Sequence, residues 1–246
     1  MKKLITLFCC GFLLPSFRAP CVDPGPRCTL QLVFHNLFSG RPMMAGSSYQ
    51  NAFGETFILK GFRYYISNIV LIEKGDRVHP LGANYFLVDI DQDSSQVITL
   101  RVDKKNYTGL QFLIGVDSLR NLRGTQTGVL DPLRGKFWTW NSGYITAKLE
   151  GVSPDSKAHS HLLTYHVGGY KKNEQTSRRI TLRFAEPLQF PGNDERIHIQ
   201  AEASTWFNGR HPIKIAEYPV CHEPGTLAVQ LADNFEKMFS VVKPNP

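Results

Sequence analysis

Apolar and polar residues alternate with the two-residue period of a β-strand in many short stretches of this chain. Residues 29–34 (TLQLVF) are the first such run, and residues 55–72 hold two apolar, aromatic and β-branched runs joined near Lys60 and Gly61. Further strands are predicted at residues 84–90, 95–102, 109–116, 137–149, 162–167, 179–184 and 196–203. Turn residues separate these runs at fairly regular spacing, and no alternation of helices with strands indicates a parallel α/β sheet. The pattern predicts an all-β fold, as an antiparallel β-sandwich or a barrel-like single domain.

Two segments have helical spacing instead. Residues 117–121 (DSLRN) predict a single turn. Residues 225–240 follow Pro224, which favours a helix start, and carry five large apolar side chains at helical intervals: Leu227, Leu231, Phe235, Met238 and Phe239. We therefore expect a C-terminal amphipathic helix that packs its apolar stripe against one side of the β domain.

The first residues have the composition of an export signal. Lys2 and Lys3 precede an apolar run at residues 4–14, which is too short to span a bilayer. We expect residues 1–20 to be a signal peptide, although the cleavage site stays open, and residues 22–246 to form the domain in the periplasm or envelope. Cys21 is a candidate for lipidation, which would anchor the protein to a membrane.

Charge and cysteine content narrow the function classes. The formal charge of +7 falls to +4 without Lys2, Lys3 and Arg18, and no Lys/Arg block forms a nucleic-acid footprint. Beyond residues 1–20 the cysteines are Cys21, Cys28 and Cys221, and export permits disulfides. Cys28 with Cys221 is the natural pair if Cys21 carries lipid; otherwise Cys21 competes for Cys221.

Histidines are the main candidates for metal chemistry. The chain has eight, and imidazole is a common ligand for copper and zinc. His166 ends an apolar strand just before Gly168 and Gly169, where backbone approaches closely, and His35 sits at the end of the first strand. Each histidine alone is better explained as a structural or surface group than as a ligand.

Residues 137–144 (FWTWNSGY) combine aromatic and polar side chains in an unusual way. Trp138 and Trp140 would point to one face of an extended strand, and Asn141, Ser142 and Tyr144 follow at once. Indole, amide and hydroxyl groups gathered in this manner indicate a site. The competing interpretation is that both tryptophans are core aromatics that bury a large area.

Five ordered motifs resemble the MbnP-like family, exported proteins associated with methanobactin, in its Bacteroidetes-type branch. They are YYISNIVL (64–71), FLIGVDSLRNLRGTQTGVLDP (112–132), FWTWNSGYITAKLEG (137–151), YHVGGY (165–170) and CHEPGTLAVQLADNFEKMF (221–239). The resemblance implies a β-sandwich-like fold and copper bound by histidines and a kynurenine, which MbnH, a di-haem oxidase of the MauG type, makes from tryptophan. It makes His166 and, by a weaker match, His35 the ligand candidates, and Trp138 or Trp140 the oxidised residue.

One residue departs from the family pattern. Lys136 stands where methionine commonly precedes the WTW strand. An ammonium near a bound cation is unfavourable unless the flexible stem carries it to water. The departure bears on copper occupancy and leaves the predicted fold unaffected.

We therefore predict an exported copper-binding protein for copper acquisition or handling, without enzymatic activity, whose partner is a di-haem oxidase. The alternative is a non-metal interaction or ligand-binding module that uses the same scaffold. A hydrolase has the least support, since it would require a carboxylate such as Asp117 or Asp131 to converge on the histidines.

Overall fold

The computed structural model describes residues 27–82, 84–139, 141–192 and 194–242. Its helices are α1 (Ser118–Leu122) and α2 (Thr226–Phe235). Its strands are β1 (Arg27–Phe38), β2 (Arg41–Pro42), β3 (Ser48–Gln50), β4 (Thr56–Glu73), β5 (Val78–Pro80), β6 (Tyr85–Asp89), β7 (Val97–Asp103), β8 (Tyr107–Ile114), β9 (Ile145–Val152), β10 (Leu162–Gly168), β11 (Arg178–Leu188), β12 (Asp194–Glu202), β13 (Val220–Cys221) and β14 (Phe239–Val242).

The described strands form two sheets. The five-stranded sheet has the order β14-β12-β1-β2, with β7 also paired to β1. The nine-stranded sheet has the order β11-β8-β4-β9-β10-β13, and β3, β5 and β6 pair with the long strand β4. The predicted sandwich is confirmed, and no barrel closes. Most strand pairs are antiparallel, as predicted, and two pairs, β1 with β12 and β10 with β13, are parallel.

The main core lies between the two sheets, and strands such as β1 and β10 alternate their burial to face it. In β1 every second side chain from Cys28 to Phe38 is buried, and β10 buries Leu163, Tyr165 and Val167 in the same apolar cluster. A second, smaller cluster lies on the other side of the nine-stranded sheet, where Val116, Leu130 and Tyr144 pack with Tyr65 of β4. Each sheet therefore has an outer face, and these residues cover part of the outer face of the larger one.

Two predicted strand boundaries are wrong. Residues 56–73 are one continuous strand whose register shifts between Leu59 and Gly61, so the two apolar runs are joined by a bulge. The strand predicted from residue 137 begins only at Ile145, because residues 137–144 turn back: Trp138 N donates to Gly143 O and Gly143 N to Thr139 O.

The C-terminal helix is present but shorter than predicted. Helix α2 ends at Phe235, and Phe239–Val242 forms strand β14 beside β12. Phe239 leaves the helical stripe because its ring packs edge-on against Phe34 and Phe112 in the core. No helix among the described residues is long and apolar enough to cross a membrane. The predicted signal peptide, residues 1–20, and Cys21 lie outside the described residues.

Candidate functional site

Two histidines meet on the outer face of the five-stranded sheet. In the parallel register of β1 and β12, Val33 lies opposite His198 and His35 lies opposite Gln200, so the two histidines are diagonal neighbours. His35 Nε2 is 2.8 Å from His198 Nδ1. The ring planes are within 11° of each other and the ring centroids are 5.1 Å apart.

These distances place the rings edge to edge. A face-to-face stack would bring the ring atoms to van der Waals distance, about 3.5–4.0 Å. A centroid separation of 5.1 Å with a nitrogen separation of 2.8 Å instead requires both nitrogens to lie on the line between the centroids. The two imidazoles therefore face each other nitrogen to nitrogen, nearly coplanar, with one hydrogen between them. We call this arrangement the His35–His198 pair.

The surroundings of the pair favour neutral imidazole. Burial lowers the pKa of His35 from its ordinary value, and the charge that His198 would carry lowers it further. A neutral imidazole keeps a lone pair on one nitrogen, which is the form that binds metal ions. Because His35 is exposed, the pair is open to solvent.

The second predicted ligand, His166, lies elsewhere. It is on the outer face of the nine-stranded sheet, since its neighbours Tyr165 and Val167 point into the core. The whole sandwich core separates His166 from His35, so the two cannot hold one ion together. The strand topology therefore excludes one metal site that uses both His35 and His166 as ligands.

His166 already has a carboxylate partner. Its Nε2 is 2.7 Å from Glu150 Oε1, and Lys148 Nζ is 4.0 Å from the same oxygen. The hydrogen bond from His166, together with the charges of Lys148 and Arg63, lowers the pKa of Glu150 to about 2 against the opposing effect of burial. The negative charge next to His166 is thus balanced by cations of the protein itself.

Lys136 is buried next to this cluster. Only 1% of the residue is exposed, its Nζ donates to Arg63 O over 3.4 Å, and it lies 4.9 Å from the centroid of the Tyr65 ring. Burial lowers the pKa of Lys136 well below its ordinary value, and nearby Lys148 and Arg63 lower it further. The stem of Lys136 therefore does not carry the amine to water.

Trp138 packs against backbone on the same outer face. A Cβ placed on Gly168 would lie 2.7 Å from Trp138 Cζ3, so the indole occupies the space that a side chain at Gly168 would need. Trp138 is half-buried. Residues 137–139 are not an extended strand, and Trp140 lies outside the described residues. Oxidation of either tryptophan stays a prediction.

The two buried cysteines are free thiols. Cys28 lies in β1 of the five-stranded sheet opposite Val102, whereas Cys221 lies in β13 beside Tyr165 of the nine-stranded sheet. The predicted Cys28–Cys221 disulfide is absent from this structure, in which each thiol is buried within its own sheet. Burial raises the pKa of Cys221 to about 12, which leaves it a protonated, unreactive thiol.

Among residues 27–82, 84–139, 141–192 and 194–242, no group of three or more His, Cys, Asp or Glu side chains is arranged to hold a metal ion. The His35–His198 pair thus supplies two nitrogen donors without a third side chain of these types.

A model of the MbnP family matches residues 27–223. The chain belongs to the MbnP family. The match spans the sandwich from the start of β1 to just past β13 and includes both members of the His35–His198 pair.

A solved structure agrees with the family's fold. MbnP from Methylosinus trichosporium is similar with a TM-score of 0.52 and 14% sequence identity, over 74% of this chain and 77% of that one. At this identity the similarity concerns the fold. A search of curated proteins found no match. Membership in the MbnP family relates the chain to methanobactin-associated, copper-related proteins.

Sequence reasoning missed His198 as a partner of His35. His198 was visible as an outward residue of a predicted strand at residues 196–203. No local signal shows that this strand lies parallel to β1, because the two strands are far apart in the sequence. His35 and His198 are separated by 163 positions.

Proposed function

We propose that this MbnP-family protein binds copper at the His35–His198 pair and serves in copper acquisition or handling rather than in catalysis. The observation that carries the proposal is the head-on approach of two imidazole nitrogens, 2.8 Å apart, on an exposed sheet face. Imidazole suits copper, and the family context makes copper the expected metal.

The directions of the lone pairs favour a linear arrangement. Two nitrogens on opposite sides of one ion, each at about 2.0 Å, are about 4 Å apart. The pair would therefore open by about 1 Å as the ion replaces the hydrogen between the rings. Cu(I) accepts two-coordinate linear ligation, whereas Zn²⁺ prefers four ligands in a tetrahedron. Among the described residues, no third His, Cys, Asp or Glu completes a metal site with this pair. The pair should therefore bind Cu(I) in preference to Zn²⁺.

His166 is a weaker candidate than the pair. Its Nε2 is already bonded to Glu150, and the charges of Lys148 and Arg63 already act on that carboxylate. An added cation would meet positive charge there. The proposal therefore keeps His35 as a ligand, adds His198 and assigns His166 to the Glu150 ion pair.

The proposal also includes export and modification. The composition of residues 1–20 supports secretion to the periplasm or envelope, with Cys21 as the site of a lipid anchor. The family resemblance supports a MauG-type di-haem oxidase as partner and kynurenine at Trp138 or Trp140. Indole is a poor ligand because its nitrogen lone pair belongs to the ring, whereas kynurenine offers an amine and a ketone.

Copper titration of the metal-free protein tests the site. Under anaerobic conditions, competition with a Cu(I) chelator should give one bound ion, and His35→Gln or His198→Gln should each weaken binding at least tenfold. His166→Gln and the surface control His159→Gln should leave the affinity unchanged. Equal binding by the His35→Gln and wild-type proteins would refute the site, and loss in His166→Gln alone would move it to the other sheet.

Modification is tested separately by mass. Protein purified from its native envelope should show the mass change of tryptophan-to-kynurenine conversion on a peptide containing residues 137–144. An unmodified peptide from cells that express the oxidase would contradict the modification and leave copper binding at the pair standing.

A further inference from the structure

A polar groove crosses the outer face of the nine-stranded sheet, on the opposite side of the sandwich from the His35–His198 pair. Three adjoining cavities of about 330, 430 and 310 Å³ form it. The first two share Asn68, Asp117 and Ser118, and the last two share Tyr85 and Arg120, so the three are continuous. We call it the Asn68 groove.

Asn68 has a strained backbone in the middle of a central strand. Its φ is +50°, in the left-handed region, and the register of β4 with β8 shifts between Ser67 and Val70. The sheet holds this bulge in place, since Ser67 Oγ donates to Gly115 O at 2.8 Å. Bulges and left-handed non-glycine residues cost free energy and are concentrated at binding sites, where they aim a side chain. Asn68 is exposed and lines two of the three cavities.

The charge of the groove is positive. Arg120, Arg123 and Arg179 line it against one carboxylate, Asp117. Asp117 is already bonded through Oδ1 to Arg120 N and through Oδ2 to the Tyr85 hydroxyl. Each of its oxygens therefore already accepts a hydrogen bond inside the fold, which fixes helix α1 and Tyr85.

Several donors in the groove remain unused. Within the described residues, the Asn68 amide, the Ser118 hydroxyl and the Arg123 guanidinium have no hydrogen-bond partner. Guanidinium groups bind planar carboxylates with two parallel hydrogen bonds. Cavities of about 300–1,000 Å³ are the usual size for small-molecule ligands.

We propose that the Asn68 groove binds a small organic anion that carries two or more carboxylates. Arg123 and Arg179 lie along the groove and pair with separate carboxylates, while Asn68 and Ser118 donate to the remaining oxygens. The site needs no metal, and it goes beyond copper binding because it uses none of the residues of the His35–His198 pair.

Calorimetric titration of the metal-free protein with tricarballylate, a tricarboxylate, tests the proposal; inorganic phosphate and sulfate are the comparison anions. Tricarballylate should bind with at least tenfold higher affinity than either inorganic ion. Arg123→Gln and Asn68→Gly should each weaken binding at least tenfold, whereas Arg101→Gln, on the other sheet, and His35→Gln should bind as the wild type does. Asn68→Gly should also be at least as stable as the wild type, because glycine adopts φ of +50° without strain.

Three results would overturn the proposal. They are no tricarballylate binding, equal binding of phosphate, and equal weakening by Arg101→Gln, which would indicate a general charge effect. If Asn68→Gly bound tricarballylate with wild-type affinity, the proposed contact between Asn68 and the anion would be refuted. Because the titration contains no copper and includes His35→Gln, its failure leaves copper binding untouched.

Discussion

Replacing Lys136 with methionine should stabilise the protein at neutral pH. Lys136 is 1% exposed, and methionine has an unbranched side chain of similar length, so the substitution removes the amine without leaving a large cavity. The change isolates the effect of one buried amine.

The expected gain follows from what the amine loses and gains on burial. Burial lowers the pKa of Lys136 well below its ordinary value, and each unit of that displacement is worth about 1.4 kcal/mol. The compensating bond to Arg63 O is long, at 3.4 Å, and contributes no more than about 1 kcal/mol. The cation–π attraction of the Tyr65 ring acts only on the charged form of the amine, which burial disfavours. Since these contacts do not offset the cost of burying the amine, we expect Lys136→Met to stabilise the protein by about 1–3 kcal/mol.

The pH dependence gives the sharper test. Between the lowered pKa of folded Lys136 and the ordinary lysine pKa of about 10.4, the unfolded chain binds the proton that the folded chain does not. The free energy of unfolding of the wild type therefore rises with pH across this window and falls as the pH drops. Lys136→Met removes this contribution, so its advantage over the wild type should shrink from about pH 7 to about pH 9.5.

Urea denaturation at both pH values measures the effect. Lys60→Met is the matched control, because Lys60 is exposed on the same strand as Tyr65 and should change stability by less than about 0.5 kcal/mol. A Lys136→Met protein less stable than the wild type at pH 7, or an advantage that does not depend on pH, would refute the reasoning.

Two further predictions concern the same outer face. Gly168→Ala places a Cβ 2.7 Å from Trp138 Cζ3, so it should destabilise the protein by about 1–3 kcal/mol in urea and shift tryptophan emission, while Gly192→Ala, with open space around it, should do neither. Hydrogen bonding from His166 lowers the pKa of Glu150 to about 2, so its stabilising charge is fully present above the unfolded glutamate pKa of about 4.3 and is lost as the pH falls towards 2. Glu150→Gln should flatten wild-type acid unfolding between those values, and an equal loss in both proteins would contradict the assigned ion pair.

Local periodicity accounts for the part of the fold that the sequence predicted correctly. Alternation along β1 and β10 requires only that neighbouring side chains point to opposite faces, which is a property of each strand by itself. Most strand positions and the start of α2 followed from this kind of pattern. The end of α2 did not, because Phe239 is drawn from the helical stripe into contact with Phe34 and Phe112, which lie far away in the sequence.

The candidate site was only half predictable. His35 was identified as an outward residue at the end of a strand, but its partner depends on the parallel register that sets His35 opposite Gln200 and beside His198. Parallel pairing joins segments with long intervening chain, so no spacing rule reports it. Likewise, the left-handed backbone of Asn68 accompanies the shift in register between β4 and β8. An asparagine within a strand-like run does not by itself predict that conformation.

The sequence by itself determined the all-β fold class, the buried and exposed faces of the strands, the amphipathic character of α2 and the MbnP-family motifs. Each of these depends only on a short stretch of neighbouring residues. Tertiary structure alone decided that His35 meets His198 rather than His166, that Cys28 and Cys221 belong to different sheets, and that Lys136 is buried over the Tyr65 ring. The physical reason is that periodicity tells which way a side chain points, whereas strand order and packing decide what it meets.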